Sequence, residues 1–289
     1  MKSFTGRWTP YLYVGPLVLL AGVLLYYTIG FAIYASLTDW NGLTRMQFVG
    51  IDNYVQLMQD RTFHTALRNT LIYMVGTVTI QAVLGLLIAV IAKEKLGGSN
   101  FFKALFFLPI AMAPAIVATV FRYMFEANYG SLNQTLRSLG LLGENDVIQW
   151  LGPDLGPYSM VIIGVFSWMG FSMMIYFAGL MSIPDELYEA ANLDGAGWWR
   201  RLWSITIPSL RGTTSVLITL GIIGSLKTFD IVWLTTQGGP GVSTHLLSTF
   251  LYQERQNREA GYSSAIGIVI LVTAFILAAI QIRLSNREK

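Results

Sequence analysis

The stretch Tyr11-Leu-Tyr-Val-Gly-Pro-Leu-Val-Leu-Leu-Ala-Gly-Val-Leu-Leu-Tyr-Tyr-Thr-Ile-Gly-Phe-Ala-Ile-Tyr-Ala-Ser-Leu37 carries no charged side chain. It is longer than the roughly 20 apolar residues that a helix needs to cross about 30 Å of hydrocarbon. A run apolar on every side belongs either in a large protein core or in a bilayer. Composition decides between the two. Of 289 residues, 54% are hydrophobic and 12% are Asp, Glu, Lys or Arg, against about 25% charged in soluble domains. A soluble chain of this length has too little interior for so much apolar surface. Lys2 and Arg7 precede the run, as they would a secretion signal. Its apolar part exceeds a signal h-region, however, and no small-residue cleavage site follows, so a retained helix is expected.

Five further runs of the same kind follow: Leu67–Ala92, Phe101–Phe125, Tyr158–Met181, Thr213–Leu234 and Ser263–Leu284. The expected fold is an all-α membrane protein of six transmembrane helices. Residues 1–65 would hold the first helix and an extracellular segment, and residues 66–284 a core of five helices with a cytoplasmic loop at 182–210. Six spans put both termini on one side. Placing them in the cytoplasm gives that side Lys2, Arg7, Lys93, Lys95, Lys103, Arg200, Arg201, Arg211, Arg283, Arg287 and Lys289. The outer side then holds Arg45, Arg61, Arg68, Arg137, Arg255 and Arg258, which is the bias of the positive-inside rule. Trp8, Trp40, Trp150 and Trp233 fall near the expected interfaces, where aromatic belts form.

Several chemistries are excluded. The absence of Cys removes disulfides, thiolate metal sites, Cys nucleophiles and iron–sulfur clusters. The two His residues, His64 and His245, are far apart, and no zinc-protease or nucleophile-elbow motif occurs. No phosphate-cradling Gly-rich loop ends in Gly-Lys-Ser or Gly-Lys-Thr, so no ATP hydrolysis, metal or cofactor is expected of this chain. The net charge of +3 is scattered and makes no nucleic-acid footprint.

The loop Ser182-Ile-Pro-Asp-Glu-Leu-Tyr-Glu-Ala-Ala-Asn-Leu-Asp-Gly-Ala-Gly197 reads as a short helix. Ser182 is a candidate N-cap, Pro184 suits a first turn, and Asp185 and Glu186 suit the positive helix end. Gly195 can take the left-handed conformation that ends a helix. A second short helix is expected from Trp198 to Ile207, closed by Pro208.

Glu189-Ala190-Ala191, then Asp194-Gly195-Ala196 and finally Ile205-x-x-Pro208, resemble the "EAA" loop of bacterial ABC importer permeases. Leu202 stands where that family usually has Phe, and keeps the position apolar. Phe229-Asp230-x-x-Trp233-x-x-Thr236-x-Gly238-Gly239-Pro240, followed by Ser243-Thr244, resembles the segment after span five in sugar permeases of the maltose type. Phe48-Val-Gly-x-Asp52-Asn53-Tyr54, Leu108-Pro109 and Pro114 extend the likeness over nearly the whole chain.

The resemblance implies a transmembrane permease subunit importing a carbohydrate, with no bond-breaking chemistry of its own. Its implied partners are a second homologous permease, a dimer of ATP-binding-cassette ATPases, an extracellular solute-binding protein and membrane lipid. Glu189, Ala190, Ala191, Asp194, Gly195, Ala196 and Pro208 would couple to the ATPase. Gly238, Gly239 and Pro240 would contact the binding protein. Spans four and five flank the coupling loop and are expected to line the substrate path, with Ser167, Trp168 and Phe171 on one and Gly221, Gly224, Ser225 and Thr228 on the other. Aromatic faces and hydroxyls suit a sugar, although small residues also mark plain helix packing.

Lys227 and Asp230 are expected to neutralise each other as an i,i+3 pair. Gln81 and Arg122, polar residues within spans, are expected to face protein. Three rival readings differ in what they require. A secondary transporter needs inverted repeats, and none is visible. An intramembrane protease needs a buried Ser–His or Asp pair. The same machine carrying glycerol phosphate would favour a cation in the path.

Overall fold

The computed structural model describes residues 9–93 and 99–287. Lys2, Arg7, Trp8, Lys95 and Lys289, used in the charge and aromatic arguments above, lie outside the described residues. The chain divides into two compact units. One comprises Met1–Asp60 and Leu251–Leu271, the other Arg61–Phe250 and Val272–Lys289.

The first unit begins with α1, Thr9–Ser36, whose apolar window buries nothing within the chain. A two-residue antiparallel ladder follows, β1 (Thr38–Asp39) against β2 (Gln47–Phe48), with Thr38 opposite Phe48. Helix α2, Asp52–Gln59, turns back on the end of α1. There the amide of Asn53 donates to the carbonyls of Ser36 (2.8 Å) and Thr38 (2.9 Å), and the hydroxyls of Tyr54 and Ser36 lie 2.7 Å apart. A helix end leaves carbonyls without backbone donors, and the Asn53-Tyr54 pair supplies side chains to that end.

In the second unit α3, Arg61–Lys93, is an unbroken helix of 33 residues. It packs along α7, which comes later in the chain (the intervening helices are α4, Ser99–Ala111; α5, Pro114–Met124; and α6, Ser131–Ser138). Helix α7 spans Gly156–Met181. Glycines set the approach: Gly76 faces Val161, Gly85 faces Ser172, and Gly164 faces Tyr73 and Thr77. Without a hydrophobic drive between helices in lipid, such small contacts let backbones meet and gain dispersion. Tyr73, Phe121, Phe125, Met160 and Ile163 anchor one buried cluster, and Met173, Tyr176, Leu180, Leu210 and Leu217 another.

The third expected span is not one helix. It bends by 96° between Phe101–Ala111 and Pro114–Met124. Ala113 is the residue before Pro114 and is extended, φ −61° and ψ 138°, because the proline ring crowds the helical region of its predecessor. Arg122 on α5 is exposed, while Val117, Ala118 and Phe121 of the same helix are buried, so it does not face protein within this chain.

After α7 come α8, Asp185–Leu193, and α9, Trp198–Arg201. A single π-helical stretch, Leu202–Thr206, leads into α10, Ile207–Ser209. Pro208 therefore sits within a run of consecutive helical segments and does not close a separate helix. The run then bends by 66° into α11, Arg211–Lys227. The fifth span also ends earlier than the apolar run. Thr228 is extended (φ −63°, ψ 120°), and α12, Asp230–Thr236, starts afresh. That break removes the i,i+3 geometry, so no ion pair joins Lys227 and Asp230 among the described residues, and both are exposed. Helices α13, Leu247–Gln256, and α14, Ala260–Arg287, contribute residues to both units. Among the described residues four helices are long and apolar enough to cross a membrane, and the number is six if each bent pair counts as one span.

Candidate functional site

A cavity of about 230 Å³ opens between α3, α7 and α11. Tyr73, Thr77 and Gln81 line it from α3, Trp168, Phe171 and Ser172 from α7, and Leu217, Leu220, Gly221, Gly224 and Ser225 from α11, with Thr228 just beyond. Of the residues expected on the path, Trp168, Phe171, Gly221, Gly224, Ser225 and Thr228 reach it. Ser167 does not: it is buried, and its hydroxyl donates to the Ile163 carbonyl at 2.8 Å.

Of the α3 wall only Gln81 stands out in the sequence, as a polar residue within a span; Tyr73 and Thr77 do not. Tyr73, Thr77 and Gln81 are spaced four apart, so they share one helix face. A polar stripe at that interval within an apolar run is the signal that could have found them.

The lining suits a neutral polar solute. Trp168 and Phe171 meet edge to face, with ring centroids 6.1 Å apart, and offer ring surface. Thr77 donates to the Tyr73 carbonyl at 2.6 Å and lies 3.3 Å from the Ser225 hydroxyl. Thr228 donates to the Gly224 carbonyl at 3.0 Å. Each of these hydroxyls keeps lone pairs free to accept. The Gln81 amide has no intrachain partner among the described residues. No lining residue is charged.

The loop after α7 has its own geometry. Pro184 is the N-cap of α8, with no side-chain cap, and Asp185 and Glu186 fill the first turn. Ser182 caps the other helix instead, donating from its hydroxyl to Gly179 O at 2.7 Å. This happens because Ser182 is still αR and closes α7. Gly195 is left-handed, φ 69°, with open space around it.

No residue of α8 is buried, and Glu189, Ala190 and Asp194 are exposed, with Ala191 and Ala196 half-buried. Leu193 is 91% exposed, and Trp199 and Trp203 are each 65% exposed. Leu202 points inward and is buried. The Asn192 amide oxygen accepts from Arg201 at 2.7 Å, and the Tyr188 hydroxyl lies 3.1 Å from that of Thr206. The two halves of the loop are therefore joined, while their apolar faces stay open.

The outer turn after α12 is tightly folded. Gln237 and Gly238 are both left-handed, and Gly238 lies so close under the His245 ring that a Cβ has no room. Thr244 donates its amide to Gly238 (3.0 Å) and its hydroxyl to Gly239 (2.8 Å). The amide of Asn69 reaches the carbonyls of Ser243 and His245 at 2.6 and 3.1 Å. Gly238 is buried and Gly239 half-buried, leaving Pro240 exposed. His245 is a buried structural ring, 3.1 Å from the Thr249 hydroxyl. The tryptophans named above pack locally: Trp150 stacks on Phe125, Trp233 on Phe229, and Arg255 lies over Trp40.

Comparison with known proteins adds the context. Residues 81–289 match the family described as binding-protein-dependent transport system inner membrane component. The chain is 33% identical over 285 residues to the "Probable ABC transporter permease protein YurN" of Bacillus subtilis, covering 97% of each chain. It is also 33% identical to the arabinooligosaccharides transport system permease protein AraP of Bacillus subtilis, over 99% of this chain and 91% of that one. Among solved structures, a bacterial ABC transporter involved in the import of the acidic polysaccharide alginate aligns with a TM-score of 0.83 at 24% identity. That alignment covers 97% of this chain and 96% of the other, and it establishes the likeness of fold. This chain belongs to the binding-protein-dependent transport system inner membrane components, the multi-pass membrane permeases of ABC transporters, which leave ATP hydrolysis to a separate subunit.

Proposed function

We propose that the chain imports a carbohydrate through the cavity between α3, α7 and α11. It works beside a second, homologous permease. A pair of ATPase subunits docks on the inner face, and an extracellular binding protein delivers the cargo. The observation that carries the cargo class is the lining itself: Trp168 and Phe171 for the C–H faces of a sugar ring, and Thr77, Gln81, Ser225 and Thr228 for its hydroxyls. Relatives named for arabinooligosaccharides, multiple sugars and trehalose/maltose support the same class. A phosphate ester such as glycerol phosphate would call for a cation at the cavity, and Lys227 is not among the lining residues.

In this reading both termini are cytoplasmic, so the loop 182–210 faces the ATPases. Its open apolar residues and the Glu189–Ala196 segment form the docking surface. Closure of the ATPase dimer on ATP displaces the loop, and the helices on either side of it turn the cavity from inward to outward. Pro240 and its neighbours meet the binding protein.

The test is reconstitution. The chain is expressed with its neighbouring open reading frames, captured by a tag and placed in vesicles. A stoichiometric ATPase subunit should elute with it, and uptake of a neutral oligosaccharide should require ATP and the binding protein. Elution of a stable chain alone, with ATP-independent uptake, would reverse the assignment in favour of secondary transport.

A further inference from the structure

We propose that Lys93, the last residue of α3, is the positioning residue that ties the coupling helix α8 to the cavity wall. Three groups converge on its ammonium: the Leu180 carbonyl at 3.2 Å, the Asp185 carboxylate at 3.5 Å and the Tyr188 ring centroid at 4.5 Å. They come from two different helices. Leu180 lies in the last turn of α7, where the negative end of the helix dipole attracts a cation. Asp185 and Tyr188 belong to α8. One side chain on α3 therefore grips two further helices at once.

The ion pair alone is a weak link. The Asp185 side chain is 83% exposed, so water screens it. The Lys93 side chain is only 25% exposed, and its stem passes a cavity of about 250 Å³ lined also by Val90, Trp198, Arg201 and Thr206. The carbonyl and ring contacts hold it there, and the carboxylate adds direction.

Helix α8 needs this link because it buries none of its own residues. Its remaining side-chain ties run the other way, through Tyr188 to Thr206 and through Asn192 to Arg201, toward α11. The loop is thus fastened to both sides of the cavity: to α11 through the π-helical stretch, and to α3 through Lys93. Helix α3 has no proline or other break between Lys93 and Gln81, a separation of about 18 Å at 1.5 Å per residue. A displacement of α8 therefore reaches the Tyr73–Thr77–Gln81 wall as a movement of one rigid element.

This inference rests on the reading of α8 as the ATPase dock, and the experiment separates the two. The chain contains no Cys, so Gly224→Cys, in a lining position with open space around it, is the one thiol on this chain, and its labelling is read on this chain after the subunits are separated. In vesicles holding the whole transporter, ATP with vanadate should change its rate of labelling by a small thiol reagent. Adding Lys93→Met should leave the amount of bound ATPase and its basal hydrolysis unchanged. It should cut the nucleotide-dependent change in labelling by about fivefold or more, and Lys93→Arg should restore most of it. A merely structural lysine would instead lower yield and ATPase capture together. Undiminished labelling change in Lys93→Met, with ATPase bound, overturns the proposal. Should Lys93→Met fail to accumulate, Asp185→Asn, which leaves the Tyr188–Thr206 tie intact, is read by the same criterion. Failure of the unsubstituted chain to bind any ATPase overturns the docking reading and the proposal with it.

Discussion

Gly85 of α3 meets Ser172 of α7 so closely that a Cβ on Gly85 would stand 2.8 Å from the Ser172 Cβ and 3.0 Å from the Met173 backbone nitrogen. The nearest obstacles are backbone and a short side chain, which cannot swing away. Overpacking of this kind costs about 1–3 kcal/mol. Gly85→Val should lower the melting temperature of the detergent-solubilised protein, followed by loss of its monodisperse elution peak on heating. Gly22→Ala in α1, where nothing lies within 4 Å, should leave the transition in place. Equal melting of the two variants would contradict a direct α3–α7 contact.

Gly195 offers the complementary case. Its φ of 69° lies in the left-handed region, yet a side chain there meets nothing. The cost of Gly195→Ala is therefore backbone strain alone, about 1–2 kcal/mol, and it falls on the turn between α8 and α9. Insertion and thermal stability should be little changed, while capture of the ATPase subunit falls. Gly195→Asn should behave between the two, because Asn tolerates that conformation. Quantifying the co-eluting ATPase for the three chains decides it.

For the cavity, Trp168→Ala should raise the half-saturating cargo concentration by about tenfold, the equivalent of roughly 1.4 kcal/mol of lost aromatic contact. Trp168→Phe should recover part of the loss. Gln81→Leu should weaken uptake of a sugar while sparing ATP hydrolysis in the absence of cargo. Unaltered uptake in all three would place the path elsewhere.

Glu126 provides a pH prediction outside the spans. Its carboxylate accepts from the backbone amide of Tyr129 first, then from that of Asn128, and these bonds hold its pKa below the usual carboxylate value. A folded pKa below the unfolded one means that the stabilisation is complete above the unfolded value. It is lost as pH falls through the folded value. The turn at Glu126–Gly130 should therefore loosen only in acid. Amide exchange at Asn128 and Tyr129, corrected for intrinsic rates, should show that loosening on acidification in the native chain. Glu126→Gln should show no such step.

The apolar runs were legible because a bilayer imposes a length and a polarity on any helix that crosses it, and Tyr11–Leu37 and Tyr158–Met181 have both. Their interruptions were harder to read. The break at Ala113 follows from Pro114, a residue already singled out, but a proline in a span either kinks or ends a helix, and neighbours decide which. Thr228 gives no local warning of its extended backbone, and the expected Lys227–Asp230 pair failed for that reason. In the loop, the left-handed Gly195 was readable from chemistry alone. The role of Ser182 was not, since a serine between two helices can cap either one. On the cavity side, Trp168 and Gly224 were placed by reasoning about spans four and five, whereas Tyr73, Thr77 and Gln81 depend on a third helix that the loop does not flank. Lys93 looked like one more inner-face positive charge until Leu180, Asp185 and Tyr188 were seen around it.

The length of α3 carries a consequence for movement. Its 33 residues make a rod of about 50 Å, against a hydrocarbon core of about 30 Å. Such a helix must lean or project beyond the bilayer, and either way its ends stand far from the membrane's mid-plane. Rocking by about 5° about its centre would carry the tip at Lys93 through roughly 2 Å, with the Gln81 region, nearer the pivot, moving less. A shift of under one bond length at Gln81 can thus accompany an ångström-scale stroke at Lys93, a gearing set by helix length alone.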